Sequence, residues 1–132
     1  MLGELDATGR VVIADLEAGL GTLSRAEAGL ADVLLILVEP NPRSLEVGRR
    51  AVNLARERGL PRLLIVANRV RDAADLALVG EALPGEILFG VPDDPAILEA
   101  DRRGAAPLDT APTAPAVQAL GELTRHLLER SS

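Results

Sequence analysis

Four short apolar runs, each followed by turn-forming or polar residues, constrain the fold of this chain more than any other feature. The runs are 11–14 (VVIA), 33–38 (VLLILV), 63–66 (LLIV) and 86–89 (EILF). Continuous apolar runs of this length are typical of strands that are buried on both faces of a parallel sheet.

Longer amphipathic segments separate these runs and predict helices. The predicted helices are 44–58, with Ser44 as the N-cap, 72–83, 94–104 and 115–129. Alternation of strands and helices gives parallel sheets with right-handed crossovers. The sequence therefore predicts an α/β fold, an open and mostly parallel sheet of about four strands flanked by helices. We expect residues 1–132 to form a single domain, with 105–116 as a connection before the last helix.

The composition excludes several kinds of site. All fourteen basic residues are arginine, cysteine is absent, and Phe89 and His126 are the only aromatic residue and the only histidine. The chain therefore has no Schiff-base or phosphate-binding lysine, no thiolate metal site and no aromatic platform for stacking bases. A net charge of −6 disfavours nucleic-acid binding. We find no signal-peptide pattern and no apolar run of bilayer length, and expect a cytoplasmic protein that does not bind membranes.

Polar residues follow each predicted strand, where ligands bind in open α/β sheets. These residues are Asp15 and Glu17, then Glu39 and Asn41, then Asn68 and Arg69, then Asp93 and Asp94. After the first run, Asp15 is placed to hold Mg²⁺ through water. Gly19 and Gly21 follow it, and glycines allow backbone N–H groups to approach a phosphate.

Three segments in order resemble the MinD/ParA family of deviant P-loop ATPases. They are VVIADLEAGL at 11–20, LLIVANRV at 63–70 and VPDDPAILEADRRGAAPL at 91–108. The glutamate before Ala-Gly in the first segment is most similar to the CooC-like branch, which inserts nickel during maturation of carbon monoxide dehydrogenase. The resemblance extends over roughly 11–128 and implies a partial P-loop NTPase-like or Rossmann-like fold.

The resemblance also implies a ligand and residues that bind it. ATP or ADP with Mg²⁺ is the implied cofactor. Asn68 corresponds to the family asparagine that reads adenine, and an amide offers the donor and the acceptor that a purine edge requires. Arg69 follows it, and Pro92 and Asp93 would flank the base.

The sequence departs from the family at its start. Only ten residues precede Val11, and they contain no lysine, whereas a P-loop needs its lysine to reach the β- and γ-phosphates. We therefore expect a truncated or degenerate member that binds adenine nucleotide or serves as a scaffold, with no catalytic residues and no ATP hydrolysis of its own. CooC-like proteins hold metal with cysteines between subunits, so nickel binding is not expected here.

Two other interpretations stay open. Gly19-Leu20-Gly21-Thr22-Leu23-Ser24 approximates the dinucleotide-binding fingerprint, and Glu39 follows Gly19 by 20 residues, where an acid could hold a ribose. This would indicate a Rossmann-type module of an oxidoreductase, although Gly19 lies further from its strand than that fingerprint requires. Alternatively, the chain is a protein-interaction module without a ligand. Because a missing first strand exposes a sheet edge, we expect a homodimer or a hetero-partner.

Overall fold

Three parallel strands form one sheet in the computed structural model, which describes residues 9–16, 21, 31–60 and 62–129. The strands are β1 (Leu34–Val38), β2 (Leu63–Val70) and β3 (Ile87–Pro92), in the spatial order β1-β2-β3. The helices are α1 (Pro42–Glu57), α2 (Ala73–Ala82), α3 (Pro95–Arg102), α4 (Pro107–Thr110) and α5 (Pro115–Glu129). The open parallel sheet with flanking helices confirms the predicted α/β class.

The central strand β2 is buried on both faces, which explains why its sequence is an unbroken apolar run. On one face, Ile65 and Ala67 pack in a cluster that α1 and α2 complete. On the other face, Leu64 and Val66 pack in a second cluster with the α5 residue Leu123. Because spatial order follows chain order, right-handed crossovers place α1 and α2 on the same face. The sheet thus has helices on both sides, and its carboxyl edge is left for loops.

The helix starts follow the sequence with one exception. α2 and α3 begin where predicted, and Asp72 and Asp94 are their N-caps, each accepting a backbone N–H two or three residues further on. The prediction that Ser44 caps α1 was wrong. The N-cap is Asn41, whose Oδ1 accepts the Ser44 N–H at 2.9 Å, and the Ser44 Oγ accepts the Glu39 N–H at 2.8 Å.

The prediction of a strand at 11–14 was also wrong, so the sheet has three strands in the described residues and not about four. Residues 11–16 form no regular structure, and Val11, Val12 and Ile13 are 69%, 50% and 87% exposed. A β-branched apolar run has strand propensity, but it becomes a strand only when a neighbour accepts and donates its ladder hydrogen bonds. No described strand pairs with this run.

The last helix, α5, packs its apolar side on the sheet and buries Ala116, Val117 and Leu123. Among the described residues, none of the helices is both long and apolar enough to cross a membrane. The connection predicted at 105–116 also contains the short helix α4, which begins at Pro107.

Candidate functional site

Strand β2 continues past its predicted end at Val66 and carries Asn68 and Arg69 into the carboxyl edge of the sheet. Its pairing with β3 shifts register between Ala67 and Val70. Within this irregularity, Arg69 adopts a φ of 57°, in the left-handed region that non-glycine residues avoid. Such a conformation costs a residue with a Cβ about 1–2 kcal/mol. Strain of this kind often lies at functional sites, where it aims a side chain.

The Arg69 side chain spans the ends of the two outer strands. One guanidinium nitrogen lies 3.9 Å from Glu39 Oε1, and Nε lies 3.5 Å from Asp93 Oδ1. Both separations are longer than a hydrogen bond, and all three side chains are 44–62% exposed. Exposed pairs of this type contribute about 0–1 kcal/mol each. The bridge is therefore loose enough for a ligand to rearrange.

A shallow cleft of about 250 Å³ lies at this edge. Its lining residues are Glu39, Pro40, Asn41, Arg69, Arg71 and Asp93. The Asn41 amide lies 3.5 Å from Glu39 Oε2. The cleft thus brings together residues that follow all three strands, as parallel topology requires.

One wall of the cleft is fixed by a tight pair between Arg71 and Asp75. The guanidinium donates to both carboxylate oxygens at 2.8 and 2.9 Å, and the Arg71 backbone N–H adds a third bond at 2.9 Å. The side-chain and backbone hydrogen bonds from Arg71 lower the pKa of the nearly buried Asp75 to about 2. The Arg71 charge is thereby committed to a partner within the fold.

Asn68 borders this cleft without lining it. It lies within the register shift between Ala67 and Val70, and the residue is half-buried. In the part of the chain that the structure describes, its amide makes no hydrogen bond, although no fully buried side-chain polar atom there lacks a partner. An amide in this state keeps both its donor and its acceptor for a ligand.

The acidic residues after β3 have different roles. The pairing of Val70 with Pro92, together with the Asp93 N–H bond to the Val70 oxygen at 2.9 Å, holds Asp93 beside Arg69. Asp94 instead accepts the N–H groups of Ala116 and Ala96, each at 3.0 Å. These two bonds, that from Ala116 first, lower the pKa of Asp94. Asp94 therefore ties α3 to α5 and is structural.

The structure thus brings two of the predicted ligand residues, Arg69 and Asp93, into one cleft, with Asn68 and Pro92 on the adjacent paired strands. Asp15 and Gly21 are exposed and do not line the cleft, and Gly19 lies outside the described residues. Their assignments stay predictions. Across the described ranges, no group of three or more His, Asp or Glu side chains could hold a metal ion.

The sequence analysis placed Glu39 and Asn41 among the polar residues at the strand ends without assigning them to the adenine site, and it did not identify Arg71; all three line the cleft. Glu39 and Asn41 could have been included, because they follow a strand directly. The commitment of Arg71 to Asp75 could have been anticipated from their i, i+4 spacing at a helix start.

The sequence is similar to known proteins over about three quarters of its length. The chain is 31% identical over 102 residues to the carbon monoxide dehydrogenase accessory protein CooC of Rhodospirillum rubrum, covering 76% of the chain and 39% of that protein. It is 33% identical over 97 residues to an uncharacterized ATP-binding protein of Methanocaldococcus jannaschii, covering 71% and 38%. No protein-family model matches.

Among solved structures, the cell division protein MinD of Aquifex aeolicus superposes with a TM-score of 0.63 at 24% identity. The match covers 76% of this chain and 45% of that chain. At this identity the likeness shows the fold. The chain spans about two fifths of the length of the curated relatives that it matches.

Proposed function

Because the chain is a partial homologue of MinD/CooC-like ATPases, we propose that it binds an adenine nucleotide at the carboxyl edge of its sheet. Asn68 would read the edge of the base, and Arg69, Pro92 and Asp93 would surround it. The proposal concerns binding and not hydrolysis, since none of the 132 residues is a lysine that could reach the phosphates.

The observation that carries the proposal is the unpaired amide of Asn68. It lies at the end of the central strand, where α/β sheets bind their ligands. Because no fully buried side-chain polar atom in the described residues lacks a partner, this amide is accessible to water, which the edge of a purine can displace. The left-handed backbone of the adjacent Arg69 supports a functional role for this point of the strand.

The binding of Mg²⁺ has less support in the structure than the binding of the adenine base. Among the described residues, the carboxylates do not form a cluster that could hold a metal ion, and Asp15 lies on an exposed segment without strand structure. The proposed binding of the base therefore does not depend on Mg²⁺, and the ligation of Mg²⁺ by Asp15 stays a prediction.

Calorimetric titration with ATP and ADP, with and without Mg²⁺, tests the proposal. Asn68→Ala is expected to weaken binding about tenfold, because a hydrogen-bonded amide contributes on the order of 1–2 kcal/mol. Asn53→Ala, which removes an exposed amide from α1, is the matched control and should bind like the parent chain. Equal affinities for the parent chain and Asn68→Ala, or no binding at millimolar nucleotide, would contradict the proposal.

A second candidate function, partner binding, is favoured by the edge strand β1. Leu37 lies in this strand and is 64% exposed, and β1 has a strand neighbour on one side only among the described residues. Unprotected apolar edges pair with other chains. If this edge binds a second copy, sedimentation at increasing concentration should show a dimer that Leu37→Lys removes. A monomer at every concentration would count against self-association.

A further inference from the structure

The run at 11–14 has the residues of a strand but no strand to pair with in its own chain. Val11, Val12 and Ile13 are β-branched, which favours an extended backbone, and each is at least half exposed. None of the described strands forms a ladder with this run. A neighbouring strand would therefore bury its apolar side chains and pair its backbone N–H and C=O groups.

Strand β1 offers the edge that such a run requires. Among the described strands it pairs with β2 alone, and its five residues include no proline and no charge that would block another strand. Leu35 and Leu37 lie in register with Leu64 and Val66, on the sheet face that α5 covers at β3. This cover does not reach Leu37, which is 64% exposed. A strand added beside β1 would thus bury apolar surface as well as backbone groups.

The flanking charges favour one direction for the added strand. Arg10 precedes the run, Asp15 follows it, and Glu39 directly follows β1. In an antiparallel pairing, Arg10 can lie opposite Glu39, and opposite charges on facing strands attract. The same register places Val12 opposite Leu37. A parallel pairing would instead bring Asp15 to the end of β1, where its carboxylate and that of Glu39 would repel.

We propose that two copies of this chain associate by reciprocal strand addition, in which residues 11–14 of each copy pair antiparallel with β1 of the other. The proposal rests on the second candidate function, partner binding at β1, and identifies the segment that fills this edge. Each copy carries one run and one edge. A two-fold axis therefore forms both pairings at once and closes the assembly at two copies.

Introduced cysteines test which surfaces meet, because the chain has no cysteine of its own. An equimolar mixture of Val12→Cys and Leu37→Cys is oxidised mildly, and the covalent dimers are identified by mass spectrometry. Opposed residues on antiparallel strands have Cβ atoms ~5 Å apart, close to the ~4 Å of a disulfide. Leu108→Cys, at a similarly exposed leucine of α4, is the matched control. We expect about tenfold more mixed dimer from Val12→Cys with Leu37→Cys than with Leu108→Cys.

Sedimentation of the 132-residue chain tests the same contact without oxidation. Val12→Glu should raise the dissociation constant of the dimer about tenfold, because it removes an apolar side chain from the added strand. Combining Val12→Glu with Leu37→Lys should recover part of that loss, since the two charges would face each other across the strands.

The outcomes separate this inference from self-association in general. Covalent dimers between two Leu37→Cys copies, with none that contain Val12→Cys, would overturn the inference and leave self-association through β1 standing. A dimer that Leu37→Lys removes and Val12→Glu leaves unchanged would do the same. If the parent chain is a monomer at every concentration, both self-association and the inference fail.

Discussion

The two ends of the sheet hold cavities of similar size that are lined by different residues. The cavity at the amino edge has a volume of about 280 Å³, and the cleft at the carboxyl edge about 250 Å³. At the amino edge, Glu86 pairs with Arg56, and the rings of Phe89 and His126 lie 5.0 Å apart at 55°. Leucine and isoleucine side chains supply much of the remaining lining.

The carboxyl edge differs in its backbone strain and in the loose pairing of its side chains. It combines a register shift, a left-handed arginine, two long ion pairs and an amide without a partner. Volume alone therefore does not identify which of the two cavities is a binding site. The strained backbone of Arg69 does, because strain of this kind clusters at functional sites.

The largest expected effect comes from the packing that positions the carboxyl edge. A Cβ on Gly48 of α1 would lie 2.5 Å from Cγ1 of Val38, the last residue of β1. We expect Gly48→Ala to lower the free energy of unfolding by about 1–3 kcal/mol through overpacking, measured by urea denaturation. Gly121→Ala in α5, where a Cβ meets nothing within 4 Å, should raise it by up to about 1 kcal/mol. If the two substitutions change the free energy of unfolding equally, the close contact of α1 with β1 does not hold this edge in place.

A smaller effect should come from the backbone of Arg69. Arg69→Gly and Arg69→Ala remove the same ion pairs, but only glycine relieves the left-handed conformation. The free energy of unfolding of Arg69→Gly is therefore expected to be about 1 kcal/mol higher than that of Arg69→Ala. Both variants should bind nucleotide more weakly, which would separate stability from function at this edge. Equal stabilities in urea denaturation would argue against a strained Arg69.

Near neutral pH, we expect a change of pH to alter the free energy of unfolding less than either of these substitutions does. Arg71 holds the pKa of Asp75 at about 2, below the ordinary aspartate value of about 3.9. A lowered pKa in the folded state stabilises the fold above pH ~4, and the contribution is lost as the pH falls towards 2.

Urea midpoints of the parent chain and of Asp75→Asn should therefore differ by a constant amount between pH 7 and about 4.5, and converge at lower pH. The exposed Asp101→Asn serves as the control and should show no such convergence. A difference between the parent chain and Asp75→Asn that persists to pH 2 would contradict the role of this carboxylate.

Most helices and strands of this fold could be predicted from the sequence. Features that depend on pairing with a neighbouring strand could not. Asp72 and Asp94 were identified as helix starts because a capping side chain acts within three residues. The run at 11–14 was misassigned because periodicity reports propensity and not the presence of a neighbouring strand. The chemistry of Asn68 and Arg69 could be placed at a strand end, but the bulge that aims Arg69 arises from the pairing of β2 with β3 and leaves no local sequence signal.

The most direct test of the account is a map of backbone and side-chain amide NMR shifts of the ¹⁵N-labelled chain during titration with adenosine. If the carboxyl edge binds the base, saturable shifts are expected at the Asn68 side-chain amide and at the backbone of Arg69 and Asp93, with little change at the amino edge. Shifts centred on Glu86 and His126, or none at millimolar adenosine, would contradict the claim that the carboxyl edge is the binding site.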